Sequence, residues 1–176
     1  LVGGIVRDKV MGLPEQEDID IVTEGDASTL ANFLHERGVA EHYPVLYPRF
    51  GTAMVTVNGR QVELVGARAE NYKPDSRKPQ VRPATLLDDV LRRDFTINTL
   101  LENLHTGEVL DLTGRAMDDI RDRIIRTPTD PFVTFDDDPL RMLRAVRLAA
   151  VLGFEIEAGT YQAILERAPR LAIISK

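Results

Sequence analysis

Asp18 and Asp20 are the first residues in the chain whose type and spacing could do chemistry. They belong to the β-branched segment DIDIV at residues 18–22, which is typical of a strand. Residues two apart in a strand point to the same face, so the two carboxylates lie about 7 Å apart on one side. Carboxylate oxygens suit Mg²⁺, which also keeps contacts to phosphate groups. The pair therefore predicts a divalent metal site, although a D-x-D pair alone is more often a solvated strand edge.

A glycine pair, Gly3 and Gly4, precedes a short helical run at residues 5–11, which Gly12 and Pro14 end. Glycine lets the backbone approach a phosphate closely, and the N-terminus of a helix offers free N–H groups. On its own, GG before a helix is usually only a turn. The order GG-x-V-R-D followed by D-x-D nevertheless predicts a site for phosphate and metal together.

This combined pattern resembles the first motif of the polymerase-β-like nucleotidyltransferases, and it is most similar to the bacterial class II tRNA nucleotidyltransferase/poly(A) polymerase family. The resemblance implies that Asp18 and Asp20 hold two Mg²⁺ ions about 3.5–4 Å apart. It also implies that Gly3, Gly4 and Arg7 lie near the triphosphate of a bound nucleotide.

A β-hairpin is predicted further along the chain, because the Asn-Gly pair at 58–59 separates two largely apolar segments, Ala53–Val57 and Arg60–Val65. The two-residue turn pairs Glu63 with Met54, on the face opposite to most of the apolar side chains. A carboxylate there is a candidate catalytic partner of the two aspartates, as the family resemblance also implies. A solvated strand glutamate is the alternative.

The polar segment Ala69–Leu87 contains three prolines and shows no periodicity, so we predict a long loop. Loops of this length are usually functional or disordered. The resembled family has a flexible loop at this place that contributes to switching between the nucleotides it incorporates. A disordered linker is the alternative.

The string RRDFTIN at residues 92–98 is a second motif and matches the resembled family almost letter for letter. Arg93 offers a forked donor for phosphate oxygens, and Asp94 can accept a hydrogen bond from a ribose 2′-hydroxyl. The resemblance implies that these residues contact the triphosphate and sugar of the incoming nucleotide, and Asn98 is a further candidate at the same place. Without the resemblance, two arginines beside an aspartate also suit a solvated helix.

The third motif, DDDPLRMLRAVRLAAVLGF, predicts a helix over Leu140–Leu152 with Asp138 as its N-cap and Pro139 as its first residue. Arginines recur at every third position of this helix, which alone is typical of a solvated face: Arg141, Arg144 and Arg147. The resemblance assigns the segment to nucleobase recognition, with Asp138 and Arg141 in the key positions. Asp137 stands where the family usually has glutamate.

Asp138 and Arg141 are three residues apart at a helix start, so their side chains can lie next to each other. An ionised aspartate only accepts hydrogen bonds, and an arginine only donates them. Cytosine and adenine each present an amino donor beside a ring-nitrogen acceptor, whereas uracil and guanine present the reverse order. The pair is therefore predicted to accept CTP and ATP and to exclude UTP and GTP.

The remaining pattern predicts a loop over Tyr43–Arg49, a helix over Arg115–Arg123 and a linker at Thr127–Pro131. The fold class implied by the resemblance is α+β, with a polymerase-β-like head that contains a small mixed sheet. We expect this head at residues 1–127 and the start of an all-helical neck at residues 128–176.

The 176-residue chain has a formal net charge of −6, which does not favour a nucleic-acid-binding surface, although its basic residues are clustered. It contains no cysteine, so disulfides and thiolate metal sites are excluded and a reducing cytoplasm is expected. No apolar run approaches the roughly 20 residues that span a membrane. The chain begins abruptly in an apolar segment, so we expect further residues before it. Near its other end Ser175 is typical of the N-cap of a helix that does not follow, so we expect the intact protein to continue there as well.

Together the motifs imply the template-independent transfer of CMP or AMP from CTP or ATP to the 3′ end of tRNA. CCA-adding, CC-adding and A-adding tRNA enzymes share these motifs, and bacterial poly(A) polymerases, which share them too, are an alternative. A catalytically silent nucleotide- or RNA-binding module is a further alternative. Such a module has no need of two desolvated like charges, so the Asp18/Asp20 pair favours an enzyme.

Overall fold

A computed structural model describes residues 1–14, 17–73 and 76–174. The helices are α1 (Gly4–Val10), α2 (Ala27–Glu36), α3 (Leu86–Leu91), α4 (Ala116–Asp122), α5 (Pro131–Asp137), α6 (Leu140–Leu152) and α7 (Ala158–Arg167). The strands are β1 (Ile19–Thr23), β2 (Val45–Tyr47), β3 (Thr52–Val57), β4 (Arg60–Gly66), β5 (Arg68–Lys73), β6 (Ser76–Pro83), β7 (Leu101–Glu102), β8 (Val109–Leu110), β9 (Ile124–Ile125) and β10 (Glu155–Ile156). Short 3₁₀ helices cover Pro48–Phe50, Thr96–Asn98 and Ala168–Ile173.

A mixed four-stranded sheet in the order β1-β4-β3-β2 carries the predicted carboxylates. Strand β1 runs parallel to β4, and the other neighbours are antiparallel. The predicted hairpin is confirmed, because β3 pairs with β4 and places Glu63 opposite Met54. Its turn residues Asn58 and Gly59 both have positive φ, as a two-residue hairpin turn requires.

Helix α2 packs on one face of this sheet. Asp26 caps the helix by accepting hydrogen bonds from the backbone N–H groups of Ser28 and Thr29. The apolar cluster between helix and sheet contains Ala27, Ala31, Ala53, Val55, Val62 and Leu64. Because side chains alternate along a strand, Asp20 and Glu63 project from the other face. The sheet therefore separates its apolar core from the acidic pair.

The loop predicted over Ala69–Leu87 is wrong. Strands β5 and β6 pair as an antiparallel ribbon, with Arg68 opposite Pro83, and α3 begins at Leu86. Residues 74 and 75 lie outside the described part of the chain. Prolines are compatible with this ribbon because each strand of a two-stranded pair has a free edge, where no backbone N–H is needed.

The loop predicted over Tyr43–Arg49 is also wrong in part, because Val45–Tyr47 forms β2 at the edge of the sheet. All three residues of β2 are exposed, so no buried face produced the alternating pattern that would have revealed a strand. Pro44 and Pro48 flank this short edge strand, which is where proline is tolerated.

The helix predicted over Leu140–Leu152 is confirmed, and it ends at Gly153 with positive φ. The predicted linker is wrong at its end, because Pro131 is the first residue of α5. Since α5 continues to Asp137, Asp138 terminates that helix and Pro139 takes the N-cap position of α6. The Asp138 carboxylate still accepts a hydrogen bond from the Leu140 backbone N–H at 3.1 Å.

One apolar cluster spans the predicted boundary at residues 127 and 128. It joins the side chains of Phe95, Ile97 and Ile125 to those of Phe135, Met142, Ala145, Leu148, Phe154 and Ala163. The second motif therefore rests on the same core as the arginine-bearing helix α6. The division into head and neck stays a prediction. Within the described residues, no helix is both long enough and apolar enough to cross a membrane.

Candidate active site

Gly3 brings the start of the chain against the predicted metal ligand Asp20. The Val2 N–H donates to the Asp20 carbonyl at 3.0 Å, and Gly3 follows with φ of 84° before α1 begins. A β-carbon at position 3 would lie 3.6 Å from Arg93 Nη1 and 3.9 Å from Asp20 Oδ2. Gly3 thus has a backbone conformation that other residues rarely adopt, and it lies between a guanidinium and a carboxylate.

Three carboxyl groups approach each other at this end of the sheet. Asp20 pairs with Glu63 across β1 and β4, and Asp18 is exposed just before β1. Burial raises the pKa of Asp20, Arg93 opposes that rise, and the charge of Asp18 adds to it. Burial and the nearby Asp20 also raise the pKa of Glu63. The site therefore concentrates negative charge that a cation would stabilise.

The donor set fits Mg²⁺ in one specific way. Among the described residues, no group of three or more His, Cys, Asp or Glu side chains is arranged to hold a metal ion. Mg²⁺ is commonly bound by one or two carboxylates together with substrate phosphates, and Asp18 and Asp20 suit that arrangement.

Asp94, in the second motif, accepts hydrogen bonds from three different residues. Its Oδ1 accepts hydrogen bonds from the Phe95 N–H at 2.8 Å and from Asn98 Nδ2 at 3.1 Å. Its Oδ2 accepts from Arg144 Nε at 2.7 Å. Asn98 Oδ1 in turn accepts from Arg7 Nη1 at 2.7 Å. Residues predicted separately from all three motifs thus form one hydrogen-bonded chain.

Arg93 pairs with Asp89, a residue that the sequence analysis did not single out. Arg93 donates from Nε and Nη2 to Asp89 Oδ2 at 3.2 and 2.9 Å. Arg92 donates from Nη2 to Asp89 Oδ1 at 2.5 Å. Although burial raises the pKa of Asp89, the two arginines outweigh it and hold the pKa below the ordinary value. The Nη1 group of Arg93 is thereby directed toward Gly3.

Glu70 on β5 connects the same arginines to the predicted base-recognition residues. Its Oε1 accepts from Arg92 Nη1 at 2.9 Å and from Arg68 Nε at 3.0 Å. Its Oε2 accepts from the Tyr72 hydroxyl at 2.5 Å and lies 3.9 Å from Arg141 Nη2. Burial and the hydrogen bond to Glu70 raise the pKa of Tyr72. Arg141 is buried, with its guanidinium 6.0 Å from the centre of the Tyr72 ring.

Two adjoining cavities run through these groups. The first, of about 300 Å³, is lined by Glu70, Arg92, Arg93, Asp94, Asp138, Leu140, Arg141 and Arg144. The second, of about 220 Å³, is lined by Gly3, Gly4, Arg7, Asp20, Arg93, Asp94, Asn98, Arg144, Arg147 and Leu148. They share Arg93, Asp94 and Arg144 and so form one cleft. Of the predicted site residues, Asp18 and Glu63 line neither cavity but lie beside Asp20.

The sequence analysis missed Asp89, Glu70 and Tyr72. A signal for the last two was present, since Arg68, Glu70 and Tyr72 alternate with small or neutral residues as in a strand. The three prolines of the segment outweighed that signal. Asp89 is the second of two adjacent aspartates ahead of the arginine pair. That pattern is typical of a solvated helix start, so it did not indicate a buried residue.

Comparisons with known proteins extend over the whole chain. The sequence pattern of the Poly A polymerase head domain family matches residues 1–126. The A-adding tRNA nucleotidyltransferase of Aquifex aeolicus is 37% identical, and the match covers 100% of this chain and 21% of that protein. The CCA-adding enzyme of Leuconostoc mesenteroides is 38% identical, with 99% and 42% covered. The chain therefore spans about a fifth to two fifths of the length of these relatives.

Solved structures agree with these relatives. The crystal structure of the Bacillus stearothermophilus CCA-adding enzyme in complex with CTP matches with a TM-score of 0.84 and 33% identity, over 99% of this chain and 40% of that one. A tRNA nucleotidyltransferase complexed with a primer tRNA and an incoming ATP analog matches with a TM-score of 0.77 and 34% identity, over 96% and 46%. The predicted fold class is confirmed by these similarities.

Proposed function

The chain belongs to the poly(A) polymerase head-domain family, and we propose that it transfers CMP or AMP from CTP or ATP to the 3′ end of tRNA. In this reaction the RNA 3′ oxygen forms a bond to the α-phosphorus, and the bond from that phosphorus to the pyrophosphate breaks. No template strand takes part, because protein side chains choose the base.

The observation that carries the proposal is the order of chemical groups along the cleft. The second cavity has Asp20, Gly3 and phosphate-binding arginines in its wall. Asp94, the candidate sugar contact, lines both cavities, and the Asp138/Arg141 pair lines only the first. A nucleoside triphosphate presents phosphates, ribose and base in the same order. A site for an unrelated small anion would need only the arginines.

The phosphate end is proposed to bind through Arg93, Arg7, Arg144 and Arg147, which all line the second cavity. Asp18 and Asp20 would hold Mg²⁺, which when bound neutralises phosphate charge and favours ionisation of the attacking hydroxyl. Because phosphoryl transfer needs mainly positioning and charge stabilisation, these groups suffice without a covalent intermediate. Glu63 is proposed to assist at the attacking side of Asp20.

The base end is proposed to read cytosine and adenine through Asp138 and Arg141. The ion pair between Arg141 and Glu70 spans 3.9 Å, and it orients the guanidinium without saturating its five donors. Asp138 keeps its carboxylate at the start of α6 through the Leu140 N–H. A fixed acceptor beside a fixed donor complements the amino group and ring nitrogen of C and A.

The names of the relatives support tRNA as the acceptor, since they include A-adding and CCA-adding enzymes. A bacterial poly(A) polymerase is the second candidate, because the matching family bears that name. The absence of cysteine is consistent with a reducing compartment, and the cytoplasm is our proposal for where the reaction takes place.

The test is to incubate the protein and Mg²⁺ with tRNA lacking its 3′ CCA and with each nucleoside triphosphate separately. We expect extension with CTP or ATP and none with UTP or GTP, and Asp20→Ala should abolish it. Long adenosine tails on any RNA 3′ end would instead support the poly(A) polymerase. Nucleotide binding without extension of either acceptor would contradict both and favour a silent module.

A further inference from the structure

Asp20 has different chemistry on its two sides. On one side lie Gly3 and the guanidinium of Arg93, and the arginine-lined cleft extends from there. On the other side β4 pairs with β1 and places Glu63 next to Asp20. The proposed nucleotide site occupies only the first side. Beyond Glu63, the second side is a sheet surface to which no function has yet been assigned.

The geometry of the proposed reaction gives that second side a role. In nucleotidyl transfer the attacking oxygen and the leaving pyrophosphate lie roughly in line on opposite sides of the phosphorus. If the pyrophosphate lies toward Gly3 and Arg93, the attacking 3′ hydroxyl must approach from the side of Glu63. The end of the acceptor RNA then passes over β4 and toward β3 and β2.

The register of the sheet identifies the side chains along this path. Asp20 is paired with Glu63, Glu63 with Met54, and Met54 with Val45. Paired residues point to the same face, and neighbouring strands are about 4.8 Å apart, so Met54 lies about 10 Å from Asp20. Tyr47 lies two residues after Val45 and points to the same face.

The chemistry of this row differs from that of the cleft. Beyond Glu63 its side chains are uncharged, and the neighbouring positions of the same face are also uncharged: Gln61, Thr56 and Thr52. Val45 and Tyr47 are 50% and 42% exposed although both are apolar or aromatic. An exposed aromatic ring binds an unpaired base by stacking, and apolar neighbours add packing contact, whereas a triphosphate needs arginines.

We propose that this row, formed by Met54, Val45 and Tyr47, binds the last unpaired bases at the 3′ end of the acceptor RNA. The terminal base packs on Met54, which places its 3′ hydroxyl beside Asp20 and Glu63, and the preceding base stacks on Tyr47. The inference rests on the proposed function, since it concerns the acceptor of the same reaction. It is continuous with the candidate active site through Glu63.

The first experiment compares Tyr47→Ala, Met54→Ala and the double variant with wild type. We expect the KM for tRNA lacking its 3′ CCA to rise roughly tenfold for Tyr47→Ala, because stacking of a base on an aromatic ring contributes that much. Met54→Ala should also raise it, because the terminal base loses its packing contact, and the double variant should raise it further. The KM for CTP should not change, and Tyr47→Phe should restore the acceptor KM. Leu46→Ala is the matched control, since Leu46 lies in the same strand, is 38% exposed and points to the other face.

The second experiment needs no substitution. Acceptor tRNA with 4-thiouridine as its last nucleotide is irradiated with the wild-type protein, and we expect cross-links to residues 45–54. Unchanged acceptor KM in the double variant, or cross-links confined to other segments, would overturn this inference while leaving tRNA extension intact. A wild-type protein that extends no tRNA would overturn the proposed function itself, and this inference with it.

Discussion

Arg144 Nε donates a hydrogen bond to Asp94 Oδ2 over 2.7 Å, joining residues fifty positions apart in the chain. The contact connects α6, which carries the proposed base-reading pair, to the motif proposed to read the sugar. Both oxygens of Asp94 already accept hydrogen bonds within the protein. A ribose hydroxyl must therefore use a remaining lone pair, and it meets a carboxylate that is firmly oriented before the nucleotide binds.

This orientation leads to a prediction about sugar choice. Wild type should prefer CTP over dCTP, and Asp94→Ala should narrow that preference by roughly tenfold to a hundredfold, since a hydrogen bond to a charged group contributes about 1.5–3 kcal/mol. The measurement is the ratio of kcat/KM for the two nucleotides. Arg147→Ala serves as the control, because Arg147 lines only the phosphate end of the cleft and its loss should weaken the binding of CTP and dCTP alike. An unchanged ratio in Asp94→Ala would assign Asp94 a structural role only.

The acidic end of the cleft leads to a prediction that separates activity from stability. Asp18→Ala and Asp20→Ala should each abolish nucleotide incorporation, and Glu63→Ala should cause a smaller loss. The free energy of unfolding in the absence of metal should hold or rise, because burial and the charge of Asp18 raise the pKa of Asp20. Turnover with Mg²⁺ and thermal unfolding with a chelator measure the two effects.

Asp122→Ala is the control for those variants, because Asp122 is exposed on α4 and its direct ion pair with Arg121, at 2.8 Å, is screened by solvent. It should leave turnover unchanged. If both Asp18→Ala and Asp20→Ala kept normal Mg²⁺-dependent turnover, the metal assignment would fail.

Asp89 leads to a prediction about pH. The two arginines hold its pKa below the ordinary 3.8, so its contribution to stability is fully present above about pH 4 and is lost as the pH falls through the folded-state pKa. Asp89→Asn should destabilise the protein at pH 7 by about 3 kcal/mol, because the buried Asp89 carboxylate, which pairs with both arginines, loses its charge. Urea unfolding of wild type and variant should show that difference shrinking toward pH 3.

For comparison, Asp122→Asn changes an exposed ion pair and should alter unfolding little at either pH. A destabilisation by Asp89→Asn that is the same at pH 7 and pH 3 would show that lost packing, and not lost charge, is its cause.

Base choice can be tested at the other end of the cleft. Asp138→Ala and Arg141→Ala should each lower the rate of incorporation. Each should also reduce the preference for CTP and ATP over UTP and GTP, since the remaining partner no longer specifies a donor–acceptor order. Arg147→Ala should weaken the binding of all four nucleotides equally, because Arg147 lines only the phosphate end of the cleft. Single-nucleotide incorporation assays measure both. Normal selectivity in both Asp138→Ala and Arg141→Ala would show that this pair does not select the base.

Much of the site could be predicted because its motifs are local. The Gly3–Gly4 turn, the alternation that places Asp18 and Asp20 together and the Asn-Gly hairpin all depend on residues a few positions apart. Backbone geometry relates such residues directly, so their types alone predict the turn, the strand and the register that sets Glu63 beside Met54. The bounds of α6 followed in the same way from Gly153 and from helical periodicity.

The arrangement of the motifs relative to one another was decided only by tertiary structure. Nothing near Asp89 in sequence indicates that it is buried between two arginines, and nothing near Glu70 indicates that it reaches Arg141 on a distant helix. The β5–β6 ribbon and the edge strand β2 were missed because their strands have free edges, so neither proline nor polar residues are excluded from them, and because all three residues of β2 are exposed. Local sequence thus determined which groups could react, whereas the packing of Phe95 and Ile97 against Phe135 and Met142 determined that those groups share one cleft.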